Sequence, residues 1–204
     1  MEFWNDIVMD ISWKTLIELT SRYDIVVIGG WAVYLHTKAI KSKDIDIIVD
    51  FETLNKLKSY HNLKKNESLQ KYETKIDNTS VDIYVPHYSR FPIPLDEITS
   101  NTTKMEGIVI AKPEVLLILK QAAELDRRDS VKGIKDRVDI LNLLINSDFD
   151  YKKYRGLVNK YHLEDFLDRL KTIISISDKE YIYLGIDNPK ERKNQKKRIL
   201  SKLK

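Results

Sequence analysis

Val27-Ile28-Gly29-Gly30-Trp31-Ala32-Val33, followed by Ser42-Lys43-Asp44-Ile45-Asp46-Ile47, is the most informative part of this chain. The run from Asp24 to Ile28 is β-branched and ends in Gly-Gly, so it reads as a buried strand entering a tight turn. Trp31 to His36 reads as the start of a short helix, and Asp44 to Val49 as a second strand in which acidic and aliphatic residues alternate. Residues two apart on a strand share a face. Asp44 and Asp46 therefore project side by side, while Ile45, Ile47 and Val49 turn to the core. Two neighbouring carboxylates repel at neutral pH unless a cation sits between them, and Mg²⁺ prefers carboxylate and phosphate oxygens.

Ser80-Val81-Asp82-Ile83-Tyr84-Val85 is a third clear strand, stopped by Pro86. If it lies beside the second, Asp82 joins the pair, and two metals become possible, one activating a hydroxyl and one holding a triphosphate. A Gly-Gly turn at a helix start presents free backbone N–H groups to phosphates, and this one precedes Asp44 by 14 residues. Each piece alone has a plainer reading. Asp-X-Asp occurs at sheet edges, Gly-Gly is often a turn that needs positive φ, and Asp82 could be an exposed strand residue, with Asp77 the nearest other carboxylate. The order and spacing together are more specific than any member.

Working outward, apolar positions across residues 4–21 predict a first helix, and a helix is expected around Glu52–Tyr60, followed by a polar stretch of uncertain form. Strands are expected near Glu97–Thr99 and Ile108–Ala111. From Pro113, which suits a helix first turn, Val115, Leu116, Leu119, Ala122 and Ala123 form an apolar face. Further helical patterns occupy about 131–146, 151–160 and 163–174. Strands first and helices later divide the chain into a mixed core, residues 1–111, and a helical region with a basic tail, residues 112–204.

At 204 residues and 42% hydrophobic content the chain can bury a core. It has no cysteine, which excludes disulfides and thiolate chemistry. There is no basic-then-apolar leader pattern, and no apolar stretch approaches the roughly 20 residues that span a bilayer. A soluble cytoplasmic protein with no membrane association is expected. The net charge of +4 is unevenly placed. Residues 190–204 hold eight basic residues against Glu191 alone, so that segment carries +7 and the remainder −3. Such a segment suits a phosphate backbone, or is a solvated, partly frayed helix starting at Asn188-Pro189, with Ile199, Leu200 and Leu203 on a docking face.

Gly29-Gly30, a helix, Asp44/Asp46 on a strand and Asp82 on a later strand resemble the nucleotidyltransferases of the DNA polymerase β superfamily. The segments quoted at the outset are similar to its small bacterial and archaeal branches: minimal nucleotidyltransferases, antibiotic adenylyltransferases and abortive-infection type toxins. The resemblance covers about residues 24–145. It implies an α+β fold, a nucleotidyltransferase-like mixed sheet flanked by helices and followed by a helical bundle. It also implies transfer of a nucleoside monophosphate from a triphosphate such as ATP to an acceptor hydroxyl, with release of pyrophosphate. Asp44, Asp46 and Asp82 would be the catalytic metal ligands for Mg²⁺ or Mn²⁺, with Asp82 third ligand or general base. Gly29, Gly30 and Trp31 would bind the nucleotide.

Lys112-Pro113-Glu114 through Lys120, then Lys135-Asp136-Arg137-Val138-Asp139-Ile140, look like the family's second basic cluster. Lys120 and Lys135 are the candidates for the triphosphate, with Asp136 and Asp139 holding those bases or capping a helix; exposed helix lysines are the plainer reading. One departure is Ile40, where many relatives have Arg four residues before the first aspartate; Lys41 and Lys43 are close, but Lys43 should point away. The four histidines show no metal-ligand spacing. Two other classes stay open. One is a toxin–antitoxin component acting on RNA or a partner protein, mildly favoured by the basic terminus. The other is a non-catalytic nucleotide-binding module, against which the three filled acidic positions argue.

Overall fold

The β-branched runs become adjacent central strands: β1 (Val26–Ile28), β2 (Ile45–Ile48) and β5 (Thr79–Tyr84). In the computed structural model, which describes residues 5–203, the chain divides between Lys112 and Pro113 into a sheet unit and a helical unit. Met1 to Trp4, which include the expected start of the first helix, and Lys204 of the basic segment lie outside the described residues.

The sheet unit has seven strands in the order β3-β4-β5-β2-β1-β7-β6, with β3 (Lys64–Asn66), β4 (Lys71–Ile76), β6 (Thr102–Met105) and β7 (Ile108–Ala111). β2 runs parallel to β5 and antiparallel to β1, which is parallel to β7, so the sheet is mixed. Ile45, Ile47, Val81 and Ile83 are all buried, the alternation expected of strands with one face on the core. α1 (Asp6–Arg22) is capped by Asn5, whose side chain accepts from the Ile7 N–H, and buries Met9, Leu16 and Leu19. α2 (Gly29–Thr37) starts directly at the first glycine, and α3 (Phe51–Tyr60) is capped by Asp50.

Two expectations change. The strand expected near Glu97–Thr99 is a helix, α4 (Leu95–Ser100): Pro94 sits at its N-cap, Asp96 and Glu97 occupy the first turn, and Leu95 and Ile98 turn inward at helical spacing. The polar stretch before β5 holds β3 and the hairpin β4–β5. Its two-residue turn is Asp77-Asn78, both with positive φ (48° and 63°), a combination suited to the tight hairpin turn that follows strand twist. Asp77, the alternative third carboxylate, is thereby fixed in an exposed turn at the other end of β5 from Tyr84.

The helical unit comprises α5 (Pro113–Arg127), α6 (Val131–Asn146), α7 (Tyr151–Lys160), α8 (Glu164–Ile176), α9 (Lys179–Tyr183) and α10 (Pro189–Lys202). Ser130, Asp150 and Asn188 cap α6, α7 and α10 through side-chain oxygens. The inward stripe of α5 differs from the expected one: Leu119, Ala122 and Ala123 are half-buried, whereas Lys120, Gln121 and Glu124 are fully enclosed. These polar groups are matched from facing helices. The Tyr154 hydroxyl donates to Gln121 Oε1 at 2.6 Å, the Gln121 amide donates to the Phe166 carbonyl at 2.7 Å, and Glu124 receives Arg137 and Arg169. α10 docks through Ile199 and Leu203, and Lys196 reaches the Ser175 carbonyl and Asp178, each at 2.8 Å.

Candidate active site

Strand register assembles the acidic residues. Ile28 stands opposite Asp46, Asp46 opposite Asp82, and Asp82 opposite Glu73, so three neighbouring strands place three carboxylates in one row across the sheet. Asp44, two residues before Asp46, lies in the bend just ahead of β2 and acts electrostatically on Asp82. Ser42 is buried and donates its hydroxyl to the Asp44 carbonyl at 3.0 Å, which fixes the backbone as it enters the strand. Like charges side by side on a sheet are destabilising, so this row needs a cation.

Gly29 closes one end. Its φ of +66° is one that L side chains rarely adopt, and a Cβ there would lie 2.1 Å from Asp46 Oδ2. The turn after β1 therefore brings backbone against the carboxylate, an approach that only glycine permits. Gly30 is buried behind it at the first turn of α2.

At the other end stands Lys71 of β4, a residue that no sequence motif singles out. Its Nζ lies 2.6 Å from Asp82 Oδ2 and 3.0 Å from Glu73 Oε1, and its side chain is 11% exposed. Glu73 in turn accepts from the Asn66 amide at 2.9 Å. Burial raises the Asp82 carboxyl above the ordinary carboxylate range, the Lys71 ammonium pulls it back, and Glu73 and Asp44 push it further up. Burial works to lower the Lys71 ammonium, but hydrogen bonding to Asp82 and Glu73 outweighs it and raises it. A signal for this strand does exist in Lys71-Tyr72-Glu73-Thr74-Lys75-Ile76, where charged residues alternate with Tyr, Thr and Ile and run into a two-residue turn.

The donor set fits a magnesium-type ion. Hard carboxylate oxygens come from Asp44 and Asp46, and such an ion is ordinarily held by one or two carboxylates plus substrate phosphates. Among the described residues no three Asp, Glu, His or Cys side chains converge as a ready-made cage, in keeping with Asp82 being turned toward Lys71.

The remaining expected residues have partners of their own. The Trp31 side chain is 0% exposed, donates from Nε1 to Ser12 Oγ at 2.9 Å and packs on Trp13 and Tyr34, so only its backbone is left for a nucleotide. Lys120 and Lys135 belong to the helical unit and are buried rather than exposed on its helices. Lys120 Nζ lies 2.7 Å from Asp139 and 3.1 Å from Asp136, and Lys135 Nζ lies 3.0 Å from Asp139. Arg127 closes on Asp136 at 2.7 Å. Asp136 and Asp139 thus hold the two lysines, as expected of them, within a closed ion cluster. No helix of the described residues is long and apolar enough to cross a membrane.

Comparison with known proteins gives the same family as the sequence motifs. A search among curated proteins finds no match. Among solved structures, JHP933 from Helicobacter pylori is similar, with 17% identity, a TM-score of 0.54, and coverage of 98% of this chain and 94% of that one. That likeness shows a shared fold. An antigenic nucleotidyltransferase-like protein from Paracoccidioides brasiliensis matches with 20% identity over 82% of this chain and 93% of that one, at a TM-score of 0.42. A family model described as "Nucleotidyltransferase of unknown function (DUF6036)" matches residues 7–169, which include the glycine turn, the acidic row and the buried lysine cluster, and the chain belongs to that family.

Proposed function

We propose that this protein transfers a nucleoside monophosphate from a nucleoside triphosphate to an acceptor hydroxyl, releasing pyrophosphate, in a reaction that depends on Mg²⁺ or Mn²⁺. The observation that carries this reading is the register that sets Asp46 beside Asp82, with Gly29 packed against Asp46. Asp44 and Asp46 would hold the metal. When bound, it would neutralise phosphate charge and make the acceptor hydroxyl more acidic. Asp82 would take that hydroxyl's proton or complete the ligand set. The free N–H groups at the start of α2 would offer hydrogen-bond donors to the triphosphate. Positioning and charge neutralisation carry such transfers.

Thermal unfolding tests the binding half of this reading. With Mg²⁺ and a non-hydrolysable triphosphate at 100 times its Kd, the wild type should gain about 2.7 kcal/mol. The double variant Asp44→Asn, Asp46→Asn should gain nothing, and an equal gain would overturn the assignment.

For the acceptor we favour RNA, because of α10. With Ile199 and Leu203 docked, Lys190, Lys193, Lys197, Arg198 and Lys202 remain exposed, and the first three fall on one helical face. Neutralising Lys190, Lys193 and Lys197 to Gln should weaken RNA binding and flatten the slope of log affinity against log salt by about 2 units. Identical slopes would leave α10 a solvated helix and a small molecule or protein as the acceptor.

A further inference from the structure

We propose that Lys71 is a resident counter-ion of the acidic row, a positioning residue that competes with divalent metal for Asp82 and so limits how tightly the site takes that metal. The inference rests on reading the row as a metal site, and it concerns a residue outside the glycine turn and the three aspartates.

Three observations carry it. First, the Lys71 ammonium sits 2.6 Å from Asp82 Oδ2, on the carboxylate that a third metal ligand would have to supply. A compact ammonium and a divalent cation compete for the same oxygen charge. Second, the row has an internal need for it: Asp46, Asp82 and Glu73 are direct cross-strand neighbours, and an unfilled row of that kind repels itself. Third, Lys71 has a second seat. Glu73 Oε1 is 3.0 Å away and is held in place by the Asn66 amide at 2.9 Å, which is itself tied to Ser68 at 2.9 Å. The lysine can therefore release Asp82 without losing its charge partner. Two arrangements follow: Lys71 shared between Asp82 and Glu73, and Lys71 on Glu73 with Asp82 turned to metal.

Binding of Mn²⁺ alone, followed by the loss of its free-ion paramagnetic resonance signal, tests this on the full chain. Lys71→Met should bind Mn²⁺ at least about 10-fold more tightly than the wild type, while Lys71→Arg, which keeps the charge, should stay near it. Adding Asp82→Asn to Lys71→Met should cancel the gain, because the released ligand is gone. Glu73→Gln removes the second seat, holds the lysine on Asp82 and should weaken Mn²⁺ binding; this arm stands even if Lys71→Met does not fold. Unchanged or weaker affinity in Lys71→Met, or unchanged affinity in Glu73→Gln, would overturn the role of Lys71. If Asp44→Asn with Asp46→Asn left wild-type binding intact, or if neither wild type nor Lys71→Met bound Mn²⁺, the reading of the row as a metal site would fall with it.

Discussion

Asp139→Asn is expected to destabilise the helical unit by about 3–5 kcal/mol, the usual cost of removing one partner from a buried ion cluster. Asp139 is 0% exposed and accepts from two buried ammonium groups, Lys120 at 2.7 Å and Lys135 at 3.0 Å. An amide of the same shape leaves both cations enclosed with one carboxylate, Asp136, between them and Arg127. The loss should depend on pH with a definite sign. Burial already lowers the Lys135 ammonium below its ordinary value, and Asp139 opposes that shift. Without Asp139 the folded lysine gives up its proton more readily than the unfolded one. The unfolded state then binds more protons, so the variant's deficit narrows as pH rises toward the ordinary lysine range. Urea unfolding followed by circular dichroism measures it. Asp168→Asn, at a side chain 84% exposed, serves as control and should stay within about 0.5 kcal/mol.

Gly29→Ala should reduce transfer at least about 100-fold while costing only about 1–3 kcal/mol of stability, because its two effects are separable. The backbone strain of a non-glycine residue at φ +66° is a stability effect, whereas a Cβ placed 2.1 Å from Asp46 Oδ2 displaces the carboxylate proposed to hold metal. Gly107 isolates the first effect. It sits in the β6–β7 turn at φ +84°, and a Cβ there would meet nothing within 4 Å, so Gly107→Ala carries the strain alone. Both variants should lose comparable stability, and only Gly29→Ala should lose activity. Equal activities would mean that Asp46 can be moved freely, which the close approach of backbone and carboxylate argues against.

Much of the candidate site's geometry is legible in the sequence because it lies on strands with strong alternation. Asp46 and Asp82 can be placed on the solvent-facing side of β2 and β5 from their aliphatic neighbours alone, and Gly29 from its place at a strand end. What stays hidden depends on partners distant in sequence. Lys71 lies on a short strand next to the polar turn, and its pairing with Asp82 depends on a register that only the β4–β5 hairpin fixes. Asp136 and Asp139 can be expected beside Lys120 and Lys135, but that the cluster is buried rather than exposed follows only from the packing of α5 on α6. Trp31 follows the glycines and is expected at the nucleotide for that reason, yet its size and the Ser12 hydroxyl draw it into the core. At Glu97, local chemistry decides the other way: Pro94 and an acidic first turn form a helix where a short β-favouring run suggests a strand.

The proposed chemistry is attack at the α-phosphate, so that the nucleoside monophosphate moves and pyrophosphate leaves. Parallel incubations with triphosphates labelled at the α- or the γ-phosphate, with Mg²⁺ and total cellular RNA, separate it from its alternatives. The α-label should become attached to an acceptor, the γ-label should be recovered as pyrophosphate, and both products should disappear in the double variant Asp44→Asn, Asp46→Asn. Attachment of γ-label to the acceptor, or α-label transfer undiminished in the double variant, would refute nucleotide transfer by this acidic row.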